Sequence, residues 1–221
     1  MRLHDFQATL GRAISRHEQP PSLPCVQFQA AELDQVTRLL SSPGFAFTCD
    51  VQRSWCESRV KLLARHTLSV LPPDRRDALI CAWVDHGGGR NAFRTEEAIA
   101  FLEFLSANLA DDSTALYWCR VEQATYRASM GRHAFASPAW PRDDTTLIGR
   151  APDSALVTAP HLTLFFAPGL PDLVREAAPL EEELWRQLQS ARTVSVFPSA
   201  VHATLKEMLS VGILAVVSSG V

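Results

Sequence analysis

Several signatures that would announce a chemistry are missing from this sequence. It has no Gly-x-Ser-x-Gly, no cysteines two residues apart and no glycine loop closed by Lys-Ser or Lys-Thr. Their absence removes the recognisable marks of a hydrolase nucleophile elbow, a zinc ribbon and a phosphate loop. The seven histidines never fall into His-x-x-x-His or His-x-Glu. Charge of one sign is also lacking: 24 acidic residues face 21 basic ones, a net −3, so no broad positive field invites nucleic acid. Long apolar runs are absent too. Residues 211–217 form the longest comparable stretch, well short of the ~20 residues of a membrane span. Residues 1–18 carry His4, Asp5, Arg12 and Glu18 inside their apolar pattern, unlike the unbroken core of a signal peptide. What is present, 47% apolar and 20% charged residues, describes an ordinary globular protein. The expectation is a cytoplasmic chain that neither crosses a membrane nor binds a metal itself. Its five cysteines, Cys25, Cys49, Cys56, Cys81 and Cys119, are expected as reduced, packed thiols.

Residues 1–140 read as helices. Leu3, Phe6, Leu10 and Ile14 recur at three- and four-residue steps, and Pro20, Pro21 and Pro24 end that pattern. A short helix over residues 31–40 stops at Ser-Ser-Pro-Gly. The next is expected to start after Asp50, with Val51, Trp55, Ser58 and Leu62 on one face. Pro73 opens a further helix that Gly87 ends. Another follows Thr95, with Ala98, Leu102, Leu105 and Leu109 as its buried stripe. The last, capped by Asp112 or Ser113, is apolar nearly all round. Helical periodicity then dissolves into SPAWPRDD, where Pro138 and Pro141 form a stiff connector. The predicted boundary lies there: a helical domain over 1–140 and a smaller one over 141–221.

After residue 154 the period changes. Residues 155–157 and 161–166 are short β-prone runs, separated by Thr-Ala-Pro and closed by Pro168 and Gly169. Leu180, Leu184 and Leu188 then repeat four apart, as do Val201, Leu205 and Leu209. Residues 213–217 make a final apolar run. Hairpin, helix, helix and strand predict a fold class of α+β: an all-helical N-terminal domain followed by a winged-helix-like module with a short antiparallel sheet. Such a module serves either a nucleic acid or an extended peptide. The second helix offers one base, Lys206, followed at once by Glu207, and the first begins Glu181-Glu182-Glu183. A nucleic-acid-binding regulator is therefore the alternative, and peptide binding by strand addition the leading expectation. Leu162, Leu164 and Phe166 would form the accepting strand, with Val201 and Leu205 beside it. For each residue alone, plain core packing competes.

The stretch "ELWRQL … HATLKEMLSVGIL" resembles leader-peptide recognition elements of ribosomal-peptide biosynthesis, where a Leu-Trp helix precedes a helix ending Leu-x-x-Gly-x-Leu. In addition, "DVQRSWCESRVKLLARHTLSVLP", "WVDHGGG", "FLEFLSANL", "CRVEQATYRA" and "LTLFFAPGLPDLVREAAPLEEELWRQL" resemble the methanobactin-biosynthesis MbnC family, over residues 45–217. The resemblance implies a subunit without a catalytic site of its own. It would pair with an iron-dependent oxidase, MbnB-like, and help convert cysteines of an MbnA-like precursor peptide to oxazolone and thioamide groups, on the way to a copper chelator. No cofactor is then expected in this chain, the iron belonging to the partner. The candidate partner-binding residues are Arg53, Trp55, Arg120 and Glu122. Arginine and tryptophan are enriched at interface hot spots, and charges on so apolar a helix as 114–129 must find partners on another element.

Overall fold

The computed structural model describes Gly11, Ile14 and residues 30–89 and 94–217. Of the N-terminal pattern only Ile14 is among them; Leu3, Phe6, Leu10, Pro20, Pro21, Pro24 and Cys25 lie outside the described residues. The architecture is mixed α+β, with helices first and two small antiparallel sheets after them. The described helices are α1 (Ala30–Leu40), α2 (Pro43–Leu63), α3 (Arg65–Ser69), α4 (Pro73–Asp85), α5 (Arg94–Asn108), α6 (Ser113–Arg132), α7 (Pro179–Gln187) and α8 (His202–Ser210). The strands are β1 (Leu147–Arg150), β2 (Ala155–Ala159), β3 (Leu162–Phe166), β4 (Val174–Glu176), β5 (Arg192–Thr193) and β6 (Leu214–Val217). Among the described residues, no helix is long and apolar enough to cross a membrane.

Local chemistry sets most helix ends. The Ser-Ser-Pro-Gly stop both ends α1 and begins α2: Ser42 caps the new helix through the Phe45 N–H (3.2 Å), and Pro43 takes the first turn. Asp50 is thus mid-helix, and its expected capping role is corrected. Proline needs no amide partner at that position. Asp112 caps α6 by accepting from the Ala115 N–H at 2.9 Å. Helices α4 and α8 end alike. Gly87 (φ 91°) and Gly212 (φ 76°) take the left-handed conformation. The N–H groups of Gly88 and Ile213 reach back to the carbonyls of Trp83 and Met208, both at 2.9 Å. These are Schellman stops, and they explain both glycines without any ligand.

The chain divides into two compact units, residues 1–105 and 106–221. That division precedes the expected boundary at 140. Ala124 and Ala128 of α6 pack with Val157 of β2 and Phe166 of β3. The proline connector is packed as well. Trp140 lies against the C-terminal core with its ring 5.6 Å from that of His202, and the Phe135 ring fills the space that a Cβ on Gly169 or Gly212 would need. Prolines at 138 and 141 mark a rigid surface strap, not a linker.

Within the second unit, one sheet has the order β2-β3-β4 and the other β5-β1-β6. In the first, Leu156, Phe165 and Arg175 lie in register, as do Ala155, Phe166 and Val174. The two rows point to opposite faces. Ala155, Val157, Leu164, Phe166 and Val174 meet α6. Phe165 enters a core with Trp185, Leu188, Leu205, Met208 and Leu209. Both faces of this small sheet are covered. In the second sheet, residues 147–150 of the presumed connector pair with residues 214–217. Four residues containing a glycine and an arginine carry too little alternation to read as a strand. Leu205 is fully buried in the larger core. Leu205→Ala is expected to lower unfolding stability by about 2–5 kcal/mol, measured by urea denaturation, and a loss under about 1 kcal/mol would mean that the core is looser than described.

Candidate functional site

Strand β3 lies at the centre of its sheet, paired with β2 along its length and with β4 from Leu164 to Phe166. Beyond β4 the Ala177 N–H still donates to the Thr163 carbonyl at 2.9 Å. A guest strand has nowhere to add on β3, so the expectation for Leu162, Leu164 and Phe166 is corrected. Phe166 is 2% exposed, Leu164 is half-buried toward α6, and Leu162, beside the tight turn, is exposed. Leu205 is likewise core, and Val201 packs against that core from its margin. Apolar type and helical spacing could not separate a groove wall from a core stripe, because burial demands the same residues of both.

The sheet's outer strands are β2 and β4. In an antiparallel ladder, successive residues turn their amides to alternate sides. The Ala177 N–H binds the Thr163 carbonyl, and the Ala167 N–H binds the Leu173 carbonyl at 3.0 Å. Residues 173 and 177 therefore face β3, and Val174 and Glu176 face outward. The same alternation turns Leu156 and Thr158 outward on β2.

Strand β4 is fixed by charge. Arg175 donates both terminal nitrogens to Glu181, which opens α7 and is 3% exposed. The Glu181 carboxylate also accepts the Ala178 N–H at 2.9 Å. Ala178 has no side-chain acceptor, so this is half of a capping box. The guanidinium lies over the Phe165 ring at 5.9 Å and comes within 3.9 Å of Glu207 on α8. One arginine thus ties β4 to α7 and lies near α8. Of the three successive glutamates, Glu181 is turned inward, while Glu182 and Glu183 pair with Arg186 at 3.4 and 2.5 Å. The Leu-Trp motif is structural as well: Leu184 and Trp185 are both in the core. Arg150 stacks on the Trp185 ring at 4.6 Å and donates to its carbonyl.

The four candidate partner-binding residues divide between the units. Arg53 is engaged inside the first, bonded to Glu57 at 3.1 Å and Asp85 at 2.6 Å. Trp55 is 66% exposed. It belongs to a row on α2, Phe47, Val51, Trp55 and Leu62, that is exposed throughout, while Phe45, Cys49, Cys56, Val60 and Leu63 form the buried side. The stripe that the sequence singled out is therefore the outward one. In the second unit, Glu122 is buried and Arg120 is exposed. Arg120 edges a trough of about 370 Å³ between the start of α6 and the end of β2, with Tyr117, Thr158 and Pro160. Of these two charges, Glu122 is turned inward and Arg120 outward.

Among the described residues, no three His, Cys, Asp or Glu side chains are grouped to hold a metal ion. Cys119 is fully buried and its thiol is pushed up to about 12 by burial, with Glu122 adding to the rise. It stays protonated at neutral pH and suits packing, not nucleophilic attack. No family model and no curated protein matches the chain.

Burial pushes the Glu181 carboxyl up, but Arg175 and the Ala178 N–H outweigh it and leave the group below its usual range. A carboxyl depressed in the folded state adds stability above its unfolded value, about 4.3, and that stability is lost as pH falls toward the folded value. Glu181→Gln should lower stability at pH 7 by about 1–3 kcal/mol and flatten the loss as pH falls below the unfolded value of about 4.3. Acid titrations of thermal unfolding test this, and parallel curves for the two proteins would contradict the assignment.

Proposed function

We propose that this chain is a non-catalytic subunit of a peptide-modifying complex of the methanobactin type. In this reading it holds the leader of a precursor peptide and docks an iron-dependent oxidase that acts on the precursor's cysteines. Its C-terminal unit is the winged-helix-like recognition module. The observation that carries the reading is the outer border of β4. It is the outer strand of its sheet, near α8, where Arg175 comes within 3.9 Å of Glu207; its outward Glu176 carbonyl also accepts from the Arg175 guanidinium at 3.1 Å.

Both faces of that sheet are occupied, so an extended peptide can join it only at a border. The backbone of Val174 and Glu176 supplies hydrogen bonds, and the neighbouring helix supplies side-chain discrimination. Of the two borders, α6 runs nearest to β2, which favours β4. The catalytic contribution is positional. A tethered core cysteine reaches the partner's metal at an effective concentration on the order of mM for a short flexible connection. The exposed α2 row is the proposed oxidase-docking face. Phe47, Trp55 and Leu62 are 69%, 66% and 76% exposed, and a partner that covers them removes large apolar side chains from water.

Two measurements test these assignments. Glu176→Pro removes an outward amide from β4, and Thr158→Pro does the same on β2; prolines are tolerated on sheet edges. With a labelled precursor leader, Glu176→Pro should weaken binding about ten-fold or more, or about 1.4 kcal/mol, and Thr158→Pro less than about two-fold. The opposite pattern would place the leader on β2, and wild-type affinity in both variants would remove strand addition altogether. Separately, Trp55→Glu should weaken co-elution with the oxidase by about ten-fold while leader affinity is retained; undiminished co-elution would show that α2 is not the docking face.

A further inference from the structure

In the second unit, the start of α6 and the end of β2 border an open trough of about 370 Å³. Leu116, Ala159, Pro160 and the body of Tyr117 give it an apolar lining. Its polar groups are few. Ser113, Thr114, Tyr117 and Thr158 bring hydroxyls, and among the described residues that line it Arg120 is the one charged group. A concave, mostly apolar surface with a few convergent polar groups is the usual form of a small-ligand site.

The charge on Arg120 is not used by the fold. Arg53, Arg59, Arg175 and Arg186 each close on a carboxylate. Arg120 is exposed and has no ion-pair partner among the described residues. Leu116 and Tyr117 precede it by four and three residues, so all three share one helix face, and the charge stands beside apolar surface. The acids nearest in sequence do not answer it. Glu122, two residues on, is buried and lies on another face. Asp112 caps α6 by accepting the Ala115 N–H at 2.9 Å and does not line the trough.

We propose that this trough binds a monocarboxylate with a short apolar body, the carboxylate on Arg120 and the neighbouring hydroxyls, the body against Leu116, Tyr117 and Pro160. A carboxylate matches the guanidinium fork with two parallel hydrogen bonds. A neutral ligand would leave that charge unanswered, and a phosphate dianion would meet a single cation with Asp112 at the head of the same helix. The volume is several times the roughly 30 Å³ share of one water, which leaves room for the carbon chain behind the carboxylate. The group belongs either to a free small acid or to the chain end of a peptide; the chemistry is shared. The proposal is independent of the leader and oxidase assignments.

The test titrates the ¹⁵N-labelled full chain with sodium hexanoate against a matched sodium chloride blank, following the Tyr117 and Ala159 amide resonances. Half-saturation is expected at about 1–10 mM, the range for so small a ligand. Hexanamide has the shape without the charge and acetate the charge without the body; each should bind about ten-fold more weakly or worse. Arg120→Gln should weaken hexanoate about ten-fold or more, and Arg120→Lys should recover only part of the loss, because an ammonium lacks the fork. Arg192→Gln removes an exposed cation elsewhere in the unit and should change the affinity less than about two-fold. N-acetylleucine mimics a peptide chain end: tighter binding than hexanoate assigns a chain end, and weaker binding a free acid. Non-saturating shifts, an equal response to hexanamide, undiminished binding by Arg120→Gln or an equal loss in Arg192→Gln overturns the proposal.

Discussion

Both faces of the β2-β3-β4 sheet are buried, and this constraint organises the second unit. Ala155, Val157, Phe166 and Val174 meet α6, while Phe165 on the opposite face enters the core of α7 and α8. A strand buried on both faces and paired on both sides is closed to any partner. Only the borders remain, and they are short. The docking reading therefore rests on a few outward amides. The side chains that looked most like a binding surface, Phe166 and Leu205, are committed to holding the sheet between its neighbours.

Charge completes what apolar packing begins. Arg175 sits on a strand of three residues that has little apolar area of its own. It is held by a bidentate bond to the buried Glu181, which in turn takes an orphan N–H at the start of α7. Bidentate guanidinium–carboxylate pairs fix orientation as well as distance. The pair aligns β4 with α7, and so sets the border that the proposed guest would join. Buried ion pairs are weak evidence for stability but good evidence for specified geometry, because breaking one leaves a charge stranded.

The first unit shows the opposite arrangement: its apolar excess points outward on α2. Phe47, Trp55 and Leu62 in water are unusual for a closed surface. That exposure costs stability in the isolated chain, and in the proposed docking the cost is relieved by another molecule.

Much of this was legible from order and type alone. Helices before residue 140, the hairpin at 155–166, the Leu180 and Leu205 helices, the stops at Gly87 and Gly212 and the buried Cys119 all follow from local rules. Caps, prolines, left-handed glycines and apolar spacing act over a few residues, and the sequence carries them directly. Which apolar stripe of α2 faces inward, that β3 is central, that β1 pairs with β6, and that Arg53 closes on Asp85 are decided by partners far away in the chain. No local pattern encodes a partner's position, since a core stripe, a docking stripe and a groove wall are written with the same residues. Tertiary packing alone chooses among them, by deciding which surfaces are left without a neighbour.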